Sequence, residues 1–421
     1  MYYWYKLFTY LFYPFAPIYL YIRKVRKKED SIRYKEKLSK INISRGEGFL
    51  IWFHVASVGE AMSILPLVDA CTKEPKIKKI LITSITLSSG KVLEKRFRES
   101  QNIIHQFLPL DVPIFICKFL EHWKPNLSIF IDSEIWPNLI LNIKKREIPL
   151  LLINARMTKK SFGRWKLNIN FARKIFEKFD LCLTSNKESE NFLKVLGAKN
   201  IKNYGNIKFS NIKTNSNNKF EENFLDKIKN RKIWCAASTH SPEEILCATT
   251  HLKIKKKYNN ILTIIIPRHI NRVDRIYKEL LKLNLKIVFS NQLSKIDSET
   301  DIILVDSYGE TQKFYEISKY VFLGKSLIKS LIKDGGQNPI EPARLGCKIF
   351  HGPYVSNFKE AYELFKTLGI TREVSDSSDL SISLVEEFKL DKPKDQVIAT
   401  KIENYGQNIL NNVIEELKKY I

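Results

Sequence analysis

Carboxylates and cations in this chain collect at the ends of apolar runs. In 53-FHVASVGEAMSILPLV-68 a strand ends near Ala56, Gly59 permits a tight turn, and Glu60 falls at a helix start, where the dipole favours negative charge. A carboxylate so placed can serve as an acid or base, and it can equally cap the helix. The segment 130-FIDSEIWPN-138 puts Asp132 and Glu134 just after another apolar run, with Pro137 suited to the first helical turn. Two carboxylates one residue apart can hold a metal or pair with basic neighbours, and pairing is the better reading of a lone D-x-E triplet. Between these, 83-TSITLSSGK-91 offers hydroxyls and free amides at a helix start, an anion-binding arrangement.

The second half repeats the pattern with phosphate-binding chemistry. The run 261-ILTIII-266 ends in Pro267, Arg268 and His269, and an arginine at a strand end suits bidentate phosphate contact. Gly309, Glu310 and Thr311 form another strand, glycine, helix transition. In 334-DGGQNPIEPARLG-346, Gly335 and Gly336 precede Gln337, Asn338 and a helix opened by Pro339. Amides there can meet a phosphate while Glu341 accepts from ribose hydroxyls. The stretch 236-AASTHSPEE-244 reads as a capping box from Ser241 to Glu244 with Pro242 at the first helical position. There is no D-x-D triplet, no G-x-x-x-x-G-K-S/T and no G-x-G-x-x-G, so a metal-held nucleotide and the dinucleotide fingerprint are both unsupported.

The elements that must position these groups are strand-length apolar runs alternating with helical patterns, which predicts an α/β protein with parallel sheets. One series comprises 49–55, 79–85, 127–131, 149–153 and 181–185; a second comprises 232–237, 261–266, 285–290, 301–305, 320–324 and 348–350. Two such series in 421 residues imply two Rossmann-like domains, at 29–210 and 224–395, joined by a polar linker at 211–223, with ligands in the cleft between them. A helix at 396–421 is expected to pack back on the body.

Residues 1–22 carry eleven aromatics and a single charge, Lys6, and are followed by the basic flank 23-RKVRKK-28. This is the composition of a bilayer interface, so 1–28 is expected to be a membrane anchor, spanning or lying flat, with the body on the cytoplasmic side. Six widely spaced cysteines without a C-x-x-C pair fit a reducing compartment and disfavour zinc. The formal net charge of +25 favours polyanionic partners without choosing among them.

Taken together, SVGE at 57–60, SEIWPN at 133–138, NARMTKKS at 154–161, GNIKF at 205–209, STH at 238–240, PRH at 267–269, GE at 309–310, GGQNPIEP and GPYVSNF at 352–358 resemble the 3-deoxy-D-manno-octulosonic acid (Kdo) transferases of lipopolysaccharide synthesis. The resemblance spans nearly the whole chain. It implies the two-domain GT-B fold, a CMP-Kdo donor, a lipid A precursor (lipid IVA) as acceptor, inversion at the anomeric carbon, no cofactor and no metal, at the cytoplasmic face of a bacterial inner membrane. It implies Glu60 as general base, Lys208 with Asp132 or Glu134 near the reacting centre, and the PRH, GET and GGQN segments at the nucleotide. Asp132 and Ser133 stand where Glu and Thr are usual, Gln337 where His is usual, Thr311 where Leu is usual, and Ile270 and Asn271 where Pro and Glu are usual. A GT-B enzyme using another nucleotide sugar is the alternative within the class. A tethered nucleic-acid binder would match the charge, but no RNA- or DNA-binding motif supports it.

Overall fold

The computed structural model describes residues 2–210, 220–331, 335–390 and 394–421. Residues 211–219 of the expected linker and Asp334 of the glycine-rich segment lie outside that description. The chain divides into two compact units, one of residues 1–212 with 405–421 and one of residues 213–404.

The first unit holds a seven-stranded parallel sheet made of β1 (Phe49–Val55), β2 (Ile77–Ser84), β3 (Ile103–Phe107), β4 (Leu127–Ile131), β5 (Leu150–Ala155), β6 (Leu181–Thr184) and β7 (Ile201–Asn203). Their order is β3-β2-β1-β4-β5-β6-β7. Helices cover both faces, so the inner strands are apolar on both sides: β4 and β5 are buried along their whole length, and β1 from Leu50 onward. Trp52, Phe119, Trp123 and Phe130 form the aromatic centre of this core.

The second unit repeats the plan with β8 (Lys232–Thr239), β9 (Ile261–Pro267), β10 (Ile287–Phe289), β11 (Ile302–Leu304), β12 (Tyr320–Leu323), β13 (Lys348–His351) and β14 (Thr371–Glu373), again all parallel. Here the order is β10-β11-β9-β8-β12-β13-β14. In each sheet the order reverses beside the first strand, at β1/β4 and at β8/β12, and open α/β sheets bind ligands at such carboxyl-end crevices.

Strands β3, β7 and β14 are missing from the apolar series read in the sequence. All three are edge strands, and IIHQF, IKN and TRE carry the polar residues that a strand covered on one side only can hold.

The N-terminal segment departs from a spanning anchor. Pro14 and Pro17 break it into helices Tyr2–Leu11 and Ala16–Val25 with a 3-10 turn between them. Each ten-residue helix is only about 15 Å long, half of a hydrocarbon core of roughly 30 Å. Among the described residues no helix is long and apolar enough to cross a membrane. The segment is fixed to the first unit instead. The Tyr5 hydroxyl donates to Asp111 Oδ2 at 2.8 Å, Asn138 Nδ2 donates to Thr9 Oγ1 at 2.9 Å, and Ala16 packs on Val112 and Phe115. Arg23 of the basic flank pairs with buried Glu29 at 2.6 Å, as does buried Lys37.

At the second switch point a different carboxylate does the joining. Glu243, 1% exposed, accepts from the backbone N–H groups of His240, Lys325, Ser326 and Leu327 at 2.6–3.1 Å, tying the end of β8 to the loop after β12. The expected capping box does not form: Pro242 is the N-cap of helix Glu243–Lys255 without a side-chain cap bond, and Glu244 instead accepts from Thr239 and Arg272. Glu243→Ala strands several buried amides, so it is expected to destabilise the fold by about 1–3 kcal/mol. Urea titration reads this as a lower midpoint at unchanged slope, and an unchanged midpoint would mean that the amides find other partners.

Candidate active site

At the carboxyl edge of the first sheet the chain places four of the expected residues together. Glu60 stands in the first turn of helix Val58–Ser63, directly after β1, and the capping alternative is realised there. Ser57 Oγ accepts from the Glu60 N–H at 3.3 Å, while the Glu60 carboxylate accepts from the Ser57 hydroxyl at 2.9 Å and the Ala56 N–H at 2.7 Å. The cap orients the carboxylate without neutralising it. Burial pushes the Glu60 carboxyl above its ordinary value, the negative charge of Asp132 adds to this, the Ala56 and Ser57 donors oppose it, and Glu134 adds a smaller push.

Asp132 follows β4 with a left-handed φ of 56°, a conformation that Asp and Asn tolerate better than most residues. Its Oδ2 pairs with Lys208 Nζ at 3.1 Å, and its Oδ1 accepts from Asn154 Nδ2. Asn154, also left-handed at 56°, accepts the Ile207 N–H on its Oδ1 at 3.0 Å and so ties the end of β5 to the turn Ile207–Ser210 that carries Lys208. That turn packs on helix Val58–Ser63. It also lies under the C-terminal helix Gln396–Lys418, where a Cβ at Gly406 would stand 2.0 Å from the Phe209 carbonyl oxygen, so only glycine lets the helix come this close.

Glu134 turns to other partners. Its Oε2 accepts from Trp136 Nε1 at 2.8 Å and lies 3.3 Å from Nε2 of the fully buried His54. Burial opposes ionisation of Glu134, but the His54 and Trp136 contacts outweigh it and leave the carboxyl below its ordinary value. Asp132 and Glu134 therefore pair with separate neighbours rather than converging as a D-x-E clamp. His54 is the residue that motif reading passed over, one polar letter in an apolar run whose partner is visible only once the strand register is known, whereas Asn154 opens the NARMTKKS segment without a role being read for it.

In the second unit the expected nucleotide residues lie at the carboxyl edge of its sheet. Pro267 is the buried last residue of β9, and Arg268 and His269 beyond it are exposed, with the His269 ring 5.6 Å from that of His240. Glu341 is exposed in the first turn of helix Ile340–Arg344, within electrostatic range of Arg268, which brings the PRH and IEP segments together. Gly335 and Gly336 thread against the 352–358 segment: a Cβ on Gly335 would lie 2.3 Å from the Tyr354 carbonyl oxygen. Gln337 contributes its carbonyl to the Tyr362 hydroxyl, and Asn338 Oδ1 accepts the Ile340 N–H at 3.1 Å.

After β11, Gly309 takes φ +87° and leads to Thr311 at the start of helix Thr311–Ile317. Glu310 is already engaged, accepting from Ser290 at 3.0 Å and from Ser307 and Lys313. Among the described residues no His, Cys, Asp and Glu cluster of three or more could hold a metal.

Comparison with known proteins agrees with this architecture. Residues 30–211 match the family described as 3-Deoxy-D-manno-octulosonic-acid transferase (kdotransferase). The chain is 35% identical over 354 residues to the 3-deoxy-D-manno-octulosonic acid transferase of Rickettsia bellii (strain RML369-C), covering 83% of each chain. It is 31% identical over 398 residues to a probable mitochondrial 3-deoxy-D-manno-octulosonic acid transferase of Arabidopsis thaliana, covering 90% of this chain and 88% of that one. A putative UDP-N-acetylglucosamine 2-epimerase from Listeria monocytogenes superposes with a TM-score of 0.61 at 13% identity, over 89% of this chain and 97% of that one, a likeness of fold alone. Two parallel-sheet units, a carboxylate cluster built on the SVGE and SEIWPN segments, and relatives matched over most of their length lead to one conclusion: this chain belongs to the 3-deoxy-D-manno-octulosonic acid transferase family and is a glycosyltransferase.

Proposed function

We propose that the chain transfers Kdo from CMP-Kdo to a lipid A precursor, lipid IVA, by a single inverting displacement in which Glu60 is the general base. The observation that carries this reading is the raised Glu60 carboxyl beside two carboxylates that each have a counter-partner. Glu60 accepts the proton of an acceptor hydroxyl, the freed oxygen bonds to the anomeric carbon from the face opposite the nucleotide, and the carbon–oxygen bond to CMP breaks with its electron pair going to the phosphate. A base works best when its pKa approaches the working pH, and a raised carboxyl moves in that direction.

Lys208, held at 3.1 Å by Asp132, is the cation beside the reacting centre in the first unit, and in the second unit exposed Arg268 anchors the phosphate of the donor. His269, the Gly309–Thr311 turn and the Gly335–Asn338 segment with Glu341 surround the cytidine and its ribose.

A lipid acceptor requires the enzyme to sit at a membrane. Tyr3, Trp4, Phe8, Phe15 and Ile18 on the N-terminal helices are 60–79% exposed, and Arg26, Lys27 and Lys28 follow in the open. This face is proposed to lie in the headgroup region of the cytoplasmic leaflet of a bacterial inner membrane, with anionic headgroups meeting the lysines.

Glu60→Gln is expected to keep its fold and its CMP affinity while losing about 10²–10⁴-fold in transfer rate; turnover near that of the parent enzyme would end the assignment. Because the base works ionised and its pKa is raised, the acid limb of the kcat profile should lie above that of an ordinary carboxylate. It should move to lower pH in Asp132→Asn, which removes a negative neighbour. Arg268→Ala should weaken CMP binding by about tenfold or more, and unchanged affinity would remove its phosphate role. Replacing Trp4 and Phe8 together by Ser should weaken binding to vesicles containing anionic phospholipid by at least about tenfold, and equal binding would place the membrane contact elsewhere.

A further inference from the structure

We infer that His54 is a positioning residue of the active site: its ring proton sits on Nε2 and is donated to Glu134, fixing that carboxylate in one orientation beside Glu60. This rests on the proposed transfer reaction only for the consequence, since the proton arrangement follows from geometry alone. His54 lies on β1, is 0% exposed, and its register partner across the strand pair is Thr83 of β2. Trp52 lies two residues earlier on the same face, and Trp52 Nε1 and His54 Nδ1 reach Thr83 Oγ1 at 2.8 and 2.9 Å.

Counting donors assigns the protons. Indole N–H only donates, so Trp52 occupies a lone pair of the Thr83 oxygen. The single Thr83 hydroxyl proton has two acceptors in reach, His54 Nδ1 at 2.9 Å and the Phe53 carbonyl at 3.5 Å, and the nearer is the better bond. With Nδ1 accepting, the proton of a neutral ring is on Nε2, which faces Glu134 Oε2 at 3.3 Å. Phe130 of β4 packs edge-on against the imidazole with ring centroids 5.3 Å apart, which resists rotation of the ring.

A histidine that merely filled the core would satisfy its second nitrogen within the core. This one spends it on a carboxylate that also accepts from Trp136, and both donors fall on Oε2. Oε1 carries no protein partner among the described residues, so it is the oxygen available to a hydroxyl of the acceptor sugar. The chain Trp52–Thr83–His54–Glu134 thus carries the order of the β1–β2 strand pair into the site.

Two measurements test this on the full-length chain. Selective ¹⁵N-histidine labelling, with the His54 signals identified by their loss in His54→Gln, should show a protonated Nε2 and an unprotonated Nδ1; the reverse tautomer, or a doubly protonated ring at neutral pH, overturns the inference. Thr83→Val should redistribute the ring proton between the nitrogens, and an unaltered spectrum would show that Thr83 does not direct it. In transfer assays His54→Leu should lower kcat by about 10–100-fold with CMP affinity unchanged, and His54→Gln, which keeps an N–H at similar reach, should restore most of the loss. A folded His54→Leu with parental kcat, or a His54→Gln no better than Leu, overturns the positioning role. If His54→Leu fails to fold, the tautomer measurement on the parent chain still decides. Full activity in Glu60→Gln together with the expected tautomer would strike the proposed base and leave the His54 arrangement standing.

Discussion

Repulsion among Glu60, Asp132 and Glu134 is the constraint around which the first unit is organised. Like charges gathered at a partly buried sheet edge need compensating partners, and unequal compensation pushes the Glu60 and Glu134 carboxyls in opposite directions. Asp132 has a full cation in Lys208 and an amide in Asn154. Glu134 has His54 and Trp136. Among the described residues Glu60 has only a backbone N–H and a serine hydroxyl, so burial and its neighbours raise it while Glu134 is lowered. The difference in partners separates a carboxylate suited to accepting a proton from one suited to staying charged.

That inequality is a property of the sheet. β1 lies between β2 and β4, so the helix start carrying Glu60 adjoins the loop carrying Asp132 and Glu134, while Thr83 reaches His54 from the other side. β5 supplies Asn154, which binds both Asp132 and the backbone of the Lys208 turn. The turn after β4 and the irregularity just before the end of β5 fall on Asp and Asn, the non-glycine residues best able to hold a left-handed φ, so the same residues bend the chain and hold the site together.

The interior of both sheets was legible in the sequence because a parallel strand covered on both faces must be a continuous apolar run, as FLIWFHV and ILTIII are. The edges were not, because IKN and TRE obey no such rule and belong to a sheet only through their neighbours. The same limit applied to the site. Glu60 and Asp132 announced themselves at strand ends, whereas His54 reads as one polar letter in a strand until the register sets Thr83 opposite it. Ser241 was misread for a related reason: its spacing suits a capping box, but the carboxylates of Glu243 and Glu244 are drawn to buried amides and to Arg272, and those partners come from distant parts of the chain.

The N-terminal helices show how one short element can be aromatic without spanning a bilayer. An enzyme whose acceptor is a lipid needs a surface element that is rigidly part of the protein on one side and open on the other. Helix Tyr2–Leu11 turns Tyr5 and Thr9 inward to Asp111 and Asn138, and Asp111 also accepts the N–H groups of Asn138 and Leu139 at the start of helix Pro137–Lys145. Glu134 lies three residues before that helix begins. The polar contacts that fasten the aromatic face to the body are therefore made at the base of a site loop, and on the proposed membrane reading the contact surface and the carboxylate share a single rigid support.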